Sequence, residues 1–481
     1  MAPTTWNTFR NHHWNLAANW PGGATSKRKT REISAVWKSL LTPQAKRREV
    51  GSIRNDPSRT LAQSSSAAQR IVNDIPPPSP GPTYVPFLLR QDDRVINPDA
   101  VNQADTTGRA WVGGWSIGGR GSNRACPWYR VDDDDNVDDR RIVKDTYPID
   151  PLDWIDATKW QGDAREDGLP MEYVLHKRLR GTNGGEHFAD VEGCRVLARR
   201  WFYRFVMEYC DQKDAQDLKK RYALWREMVP EPFLWRLLES LALACKAMQD
   251  GALNAVVVGW QEIIHRDLKP DNVFLASEDG RLYPKPKVAD FAEFAIETFP
   301  DDPFNPRIYR EQRAGHVACA APESLNRCHD SLEDDQLLSA ANVWCIGITM
   351  WYMMNNRHYD SGHDWWDADD YRDANQWDES PLNFYSQPLI DAVGTCLQFL
   401  PANRATPQGL LDRIAANAGI GRAGQCINAR DAVSENDAGF NQADWHYIST
   451  EDEWRRPWAD VLREQESIEG DIRARGIVDL Y

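Results

Sequence analysis

No stretch of this chain stays apolar for the roughly 18 residues that a membrane-spanning helix needs, and residues 1–20 carry no secretory-leader core. The expectation is a soluble intracellular protein, cytoplasmic or nuclear, without a membrane partner. Paired cysteines are also missing. The nine Cys show no C-x-x-C spacing, which argues against a zinc site or a disulfide framework and for free, mostly buried thiols. Nor is there an excess of positive charge. The 57 Lys and Arg are outnumbered by 72 Asp and Glu, for a net charge of −15, so nucleic-acid phosphates would be repelled and no nucleic-acid partner is expected.

What remains is ample for a large core: 481 residues, 41% of them hydrophobic, with 21 Trp. The charge is unevenly spread. Residues 1–95 hold 14 Lys/Arg against 6 Asp/Glu, a surplus of 8, so the rest carries −23 (−15 minus 8). Ser64–Ser66 and the Pro76–Pro78, Pro80 run mark a linker in which little can pack. The reading is a disordered basic arm over 1–95, a folded domain over 96–418 and an acidic tail over 419–481.

The chemistry concentrates in Ile263–Ile264–His265–Arg266–Asp267–Leu268–Lys269–Pro270–Asp271–Asn272–Val273. An apolar run leads into five ionisable side chains and an Asn. Pro270 lacks an N–H and restricts Lys269, so this is a loop at the edge of a core. Asp267 could take a proton from a hydroxyl, Lys269 could neutralise a migrating phosphoryl group, and the amide oxygen of Asn272 could face a metal ion. Upstream, Gly118, Gly119 and Gly121 lie between apolar flanks and would let backbone N–H groups approach phosphate oxygens. The Asp132–Asp135 run fits a hairpin tip. Arg141–Asp145 has strand character. Pro170–Leu179 has near-helical apolar spacing with Pro170 at its start. Trp201–Cys210 is an aromatic run expected of a strand buried on both faces, and Pro232–Met248 is apolar almost all round, a buried helix.

The central segment matches H-R-D-x-x-x-x-N and resembles the catalytic loop of eukaryotic-type Ser/Thr protein kinases. About 310 residues follow that family's motif order, which identifies the chain as a divergent member. The resemblance implies an α+β, bilobal fold: a small antiparallel-sheet lobe with one main helix (about 107–209) and a larger, mainly helical lobe (about 210–418), with ATP between them. It assigns Asp267 and Lys269 to catalysis and Asn272 and Asp290, the latter from Asp290–Phe291–Ala292, to Mg²⁺. For ATP it assigns Gly118, Gly119, Gly121, Ile142, Lys144, the Lys144 partner Glu172, the hinge residues Met207, Glu208 and Cys210, the ribose-side Asp214, and Phe274. Structural or regulatory parts fall to His265, Arg266, Phe291, and an ion pair between Glu323 of Ala321–Pro322–Glu323 and Arg404. Glu166 and Glu186 stay open as alternatives to Glu172.

The chain also departs from the family pattern. Ser116, Asn123, Ala292, His316 and Asn342 stand where Gly, Val, Gly, Thr and Asp are usual. Residues 293–320 hold Thr298 and Tyr309 as their hydroxyl-bearing side chains, so Glu311, Asp301 or Asp302 is expected to order that segment beside Arg266 without a phosphate. The implied activity is transfer of the ATP γ-phosphate to Ser or Thr of protein substrates. The alternatives are a scaffold that turns over little ATP, or a kinase of small molecules.

Overall fold

The computed structural model describes residues 95–96, 111–113, 123–132, 134, 136–146, 159–161, 168–197, 202–291, 295–300, 302, 305–306, 315–325, 332, 335–355, 379–433, 460 and 463. Most of the basic arm, the glycine segment with Gly118, Gly119 and Gly121, and Ala292, Asp301, Tyr309 and Glu311 lie outside them.

The smaller lobe is built on one antiparallel sheet. Its strands are β1 (Val95–Ile96), β2 (Trp111–Gly113), β3 (Asn123–Val131) and β4 (Val137–Thr146), and, beyond the short β5 (Trp160–Gln161) and β6 (Leu169–Pro170) pair, β7 (Val191–Leu197) and β8 (Phe202–Glu208). The order across the sheet is β1-β2-β3-β4-β8-β7. β1 falls at the boundary drawn at residue 95 and adds an edge to the sheet. The acidic run does sit at the β3–β4 turn, where Asp132 Oδ1 accepts from the N–H of Asp134 (3.0 Å) and Asn136 (2.8 Å). Period-two alternation sends Trp128, Val143 and Val206 to one face with Trp111 and Cys126. Ile142, Phe205 and Met207 turn to the other face, toward the helical lobe side.

Among the described residues of this lobe the long helix is α1 (Met171–Arg180), which starts directly after Pro170, whose missing N–H costs nothing at a helix entrance. It buries Glu172, Leu175, His176 and Leu179. In the larger lobe, α2 (Ala215–Trp225) is capped by Asp214, whose carboxylate accepts from Asp217 N–H. α3 (Glu231–Asp250) is buried nearly all round and ends at Gly251 with φ +76°, where a Cβ would strike the Trp260 ring. The strands β9 (Glu262–Ile264), β10 (Val273–Ala276), β11 (Lys285–Val288) and β12 (Ile296–Thr298) follow. β10 pairs with β11 and β12 with β9. Then come α4 (Ser339–Met354), α5 (Glu379–Phe384), α6 (Gln387–Cys396), α7 (Pro407–Asn417) and α8 (Gly421–Ala429). Among the described residues no helix is long and apolar enough to cross a membrane.

α8 lies beyond the boundary drawn at residue 418, yet Ala423, Cys426 and Ile427 join the main core. Past it, Ala432 O accepts from Leu282 N–H at 2.8 Å, and Asp431 accepts from Arg236 at 3.1 Å. Among the described residues, packing onto the main core therefore continues past residue 418 as far as Ala432. The helix is short and its apolar positions are few, so it carries little local signal of packing.

Among the described residues the best-buried ion pair is Arg404 with Glu323, two bonds of 2.6 and 2.8 Å between side chains at most 1% exposed. The remaining guanidinium hydrogens go to the carbonyls of Ala340, Phe399 and Gln398. Removing one partner strands a buried charge, whereas removing both does not. Arg404→Met should therefore cost about 3–5 kcal/mol of stability in urea titration, and the double variant with Glu323→Leu should recover part of it. A single-variant loss below about 1 kcal/mol would show the pair to be dispensable.

Candidate active site

The loop after β9 is held from beneath by α4. Asn342 Oδ1 accepts from His265 N–H at 2.9 Å, and Asn342 Nδ2 donates to Ile263 O at 2.8 Å. A neutral carboxamide thus supports the loop backbone where the family pattern has Asp. Arg266 adopts φ +63° in the left-handed region, a strained state for a side chain of this size. It turns Asp267 inward, where it is 7% exposed.

Both carboxylate oxygens of Asp267 are fixed. Oδ1 accepts from His316 N–H at 2.7 Å, while Oδ2 accepts from Asn272 Nδ2 at 3.0 Å and lies 3.3 Å from Lys269 Nζ. Asn272 Nδ2 also donates to Asp267 O at 2.7 Å, which leaves its carboxamide oxygen for another partner. Burial works against the Lys269 ammonium, but Asp267 and Asp271 outweigh it and raise the pKa above the usual lysine value.

Lys144, near the end of β4, reaches two carboxylates at once. Its Nζ is 2.6 Å from Glu172 Oε1 on α1 and also contacts Asp290 Oδ1. Burial opposes the ammonium, yet Asp290 and Glu172 more than offset it and hold the lysine firmly charged. Burial raises the pKa of Glu172, whose one cation is shared. Asp290, against its own burial, is pulled down by Lys144. Asp290 also sits at φ +63°. The backbone bond Ala289 N–H to Asn272 O, 3.1 Å, brings the Asp290 and Asn272 positions side by side. Carboxylate and amide oxygens are the hard donors that suit Mg²⁺, which usually takes one or two protein oxygens and completes its shell with phosphate and water. Among the described residues no group of three or more His, Cys, Asp or Glu forms a full metal cage.

Phe291 locks this arrangement. Its ring lies 4.6 Å from that of His265, 5.1 Å from His176 and 5.9 Å from Phe188. Both histidines bond carbonyls: His265 Nε2 meets Ala289 O at 3.0 Å and His176 Nε2 meets Ala189 O at 2.7 Å. Burial lowers the pKa of each, that of His176 to about 4.

Ile142, Met207 and Phe274 converge in one apolar cluster with Ala289. Beside them runs the connection between lobes. Glu208 N–H donates to Asp190 O at 3.0 Å, and its carboxylate accepts from Asp190 N–H at 2.9 Å and pairs with Lys287 of β11. At the other end Gln212 N–H bonds Leu275 O (2.9 Å) and Leu275 N–H bonds Lys213 O (2.8 Å). Cys210 is half-buried between these ties, and burial raises its thiol pKa. Burial, with Asp217 and Asp271 nearby, raises Asp214 to about 7. Glu186, one alternative to Glu172, is half exposed beside His187; the other, Glu166, lies outside the described residues.

Two contacts had no counterpart in the expected site. Gly315 packs on Asp267 so closely that an added Cβ would stand 2.2 Å from Oδ1. Its signal was a glycine eight residues before Glu323. His316 meets Asp267 through its backbone N–H, so this bond does not depend on which side chain stands at 316. Asp302, one of the residues expected beside Arg266, is buried and accepts from Thr298 Oγ1 at 3.3 Å.

Comparison with known proteins agrees with this geometry. The family described as protein kinase domain matches residues 171–414, about half of the chain, and the chain belongs to that family. It is 23% identical over 339 residues to "Mitogen-activated protein kinase kinase kinase dlk-1" of Caenorhabditis elegans, covering 65% of this chain and 29% of the relative. The Caenorhabditis briggsae protein of the same name is 21% identical, over 65% of this chain and 31% of the relative. "Serine/threonine-protein kinase Nek2" of Homo sapiens is 25% identical over 193 residues, 39% of this chain and 36% of the relative. The chain thus spans about a third of each relative's length.

The buried neutral His176 makes a pH prediction. Its folded pKa near 4 lies below the unfolded value of 6.5, so the unfolded chain takes up the proton first as pH falls. Its stabilising share is complete above pH 6.5 and is lost on the way down to about 4, a difference of about 3 kcal/mol. The stability advantage of wild type over His176→Gln should shrink by about that amount across the window, as followed by denaturant melts. A constant advantage would mean that His176 is solvated.

Proposed function

We propose that the chain is an active protein kinase that transfers the γ-phosphoryl group of ATP to Ser or Thr hydroxyls of protein substrates. The observation that carries this reading is the Lys144–Glu172–Asp290 contact, formed by three residues far apart in sequence. Phosphoryl transfer asks a protein for positioning and charge neutralisation more than for covalent chemistry. Lys144, oriented by Glu172, holds the α- and β-phosphates. Ile142, Met207 and Phe274 enclose the adenine, the Glu208 and Cys210 backbone borders its edge, and Asp214 faces the ribose. Gly118, Gly119 and Gly121 cover the phosphates.

Asp290 and the free oxygen of Asn272 would hold Mg²⁺, which supplies charge neutralisation across the phosphates when bound. Asp267, its carboxylate fixed at both oxygens, orients the substrate hydroxyl and accepts its proton at Oδ. Lys269, kept charged, compensates the negative charge that builds on the moving group. Lys269 within the H-R-D-L-K-P-x-N form supports Ser/Thr over Tyr. His265 and Phe291 keep the loop and Asp290 in register, Arg266 receives the activation segment, and the Glu323–Arg404 pair fixes that segment's end.

A second reading is a scaffold with little turnover. Ser116, Asn123 and Ala292 favour it. Asn342 and His316 weigh less, since a carboxamide and a backbone N–H make the loop and Asp267 contacts at those places.

Asp267→Asn should lower Mg²⁺-dependent phosphorylation of a Ser/Thr peptide by roughly 10²–10⁴-fold while ATP affinity stays near wild type. Equal loss of both would assign Asp267 a structural part, and a wild type without autophosphorylation would favour the scaffold. Gly315→Ala, which pushes on Asp267 Oδ1, should cost turnover roughly 10²-fold through misplacement of about 1 Å. Unchanged turnover would show that the segment yields.

A further inference from the structure

Kinase activation segments are commonly ordered by an added phosphate that recruits Arg. Here the described part of the segment is fastened by other means. Asn305 spends its carboxamide on three bonds: Nδ2 donates to Thr298 Oγ1 (2.9 Å) and to Leu337 O (2.9 Å), and Oδ1 accepts from Leu337 N–H (2.6 Å). Thr298 is 0% exposed, and its hydroxyl donates to Asp302 Oδ2 at 3.3 Å. Asp302 and Asn305 are 5% and 8% exposed, and Asn305 N–H also bonds Asp302 O at 3.0 Å.

The ties close into a ring. β12, which ends in Thr298, pairs with β9 at Glu262. Glu262 Oε2 accepts from Ser339 N–H at 2.8 Å, at the start of α4 and two residues past Leu337. A further strut leads to α1, where Arg178 pairs with Glu297 of β12 and lies 4.4 Å over the Trp260 ring. The strand that precedes the catalytic loop, the helix that carries Glu172 and the start of α4 are all joined to the segment through buried or half-buried protein groups.

We propose that Asn305 is the centre of a built-in clasp that orders the activation segment in place of loop phosphorylation, and that Thr298 serves as a structural hydroxyl inside it, closed to any kinase. The structural half stands by itself, while its catalytic half rests on the proposed kinase activity.

The test uses the full chain, treated with a broad phosphatase and checked by intact mass. Hydrogen exchange over residues 296–305 and at the Leu337 amide should be the same before and after treatment, and peptide phosphorylation should stay within about twofold. Tyr309→Phe should behave likewise. Asn305→Leu, which leaves the Leu337 backbone and Thr298 without their partner, should speed exchange there roughly tenfold or more and lower turnover with little change in ATP affinity. If that variant fails to fold, Thr298→Val is read instead, with a several-fold effect expected at the same amides. Loss of protection on dephosphorylation, phosphate mapped to Thr298 in the folded protein, or exchange unchanged in the variant that folds would each overturn the clasp. A wild type inactive both before and after treatment would remove the kinase reading, with the exchange data still deciding the clasp.

Discussion

Three charges meet at the face between the lobes: one ammonium from a strand of the sheet, one carboxylate from the helix beside it and one from the loop after β11. Desolvating them is costly, and the attraction repays it only where geometry is close. A single cation, Lys144, answers two carboxylates. The two carboxylates shift in opposite directions. Asp290 is held ionised by the lysine, while Glu172, deeper and sharing the same partner, is pushed up by burial. The sheet, α1 and the β10–β11 hairpin must all keep their places for these atoms to meet.

Much of the candidate site was legible because its parts are local. His265, Asp267, Lys269 and Asn272 occupy a fixed eight-residue pattern, and the strand and helix bearing Lys144 and Glu172 announce themselves by alternation and by Pro170. What escaped is of a different kind. Gly315 works by having no side chain, His316 by its backbone, and Asn305 by bonds to a residue 32 positions away. None of these leaves a residue-type pattern along the chain. α8 escaped for a related reason, since a few small apolar residues pack as part of a domain only when α3 supplies the other half of the contact.

The departures from the family pattern divide by what replaces the missing group. At Asn342 the loss of a carboxylate is absorbed, since one carboxamide serves both an N–H and a C=O of the loop. At His316 the contact is carried by the main chain. Phe291, meanwhile, is packed between two buried imidazoles and Phe188, which gives the loop after β11 an aromatic anchor next to its left-handed Asp290.

The connection between the lobes is tied down at both of its ends. One is the Glu208 end of the connection with its links to Asp190 and Lys287; alongside it Ala189 N–H reaches Val288 O at 3.0 Å. The other is the pinned stretch Gln212–Lys213 against Leu275. Residues 209–211 thus lie between two anchored ends. Other links cross from lobe to lobe away from the connection, among them Arg178 with Glu297, His187 with Ser240 and Lys144 with Asp290. Parting the lobes would break these contacts as well as bend the connection.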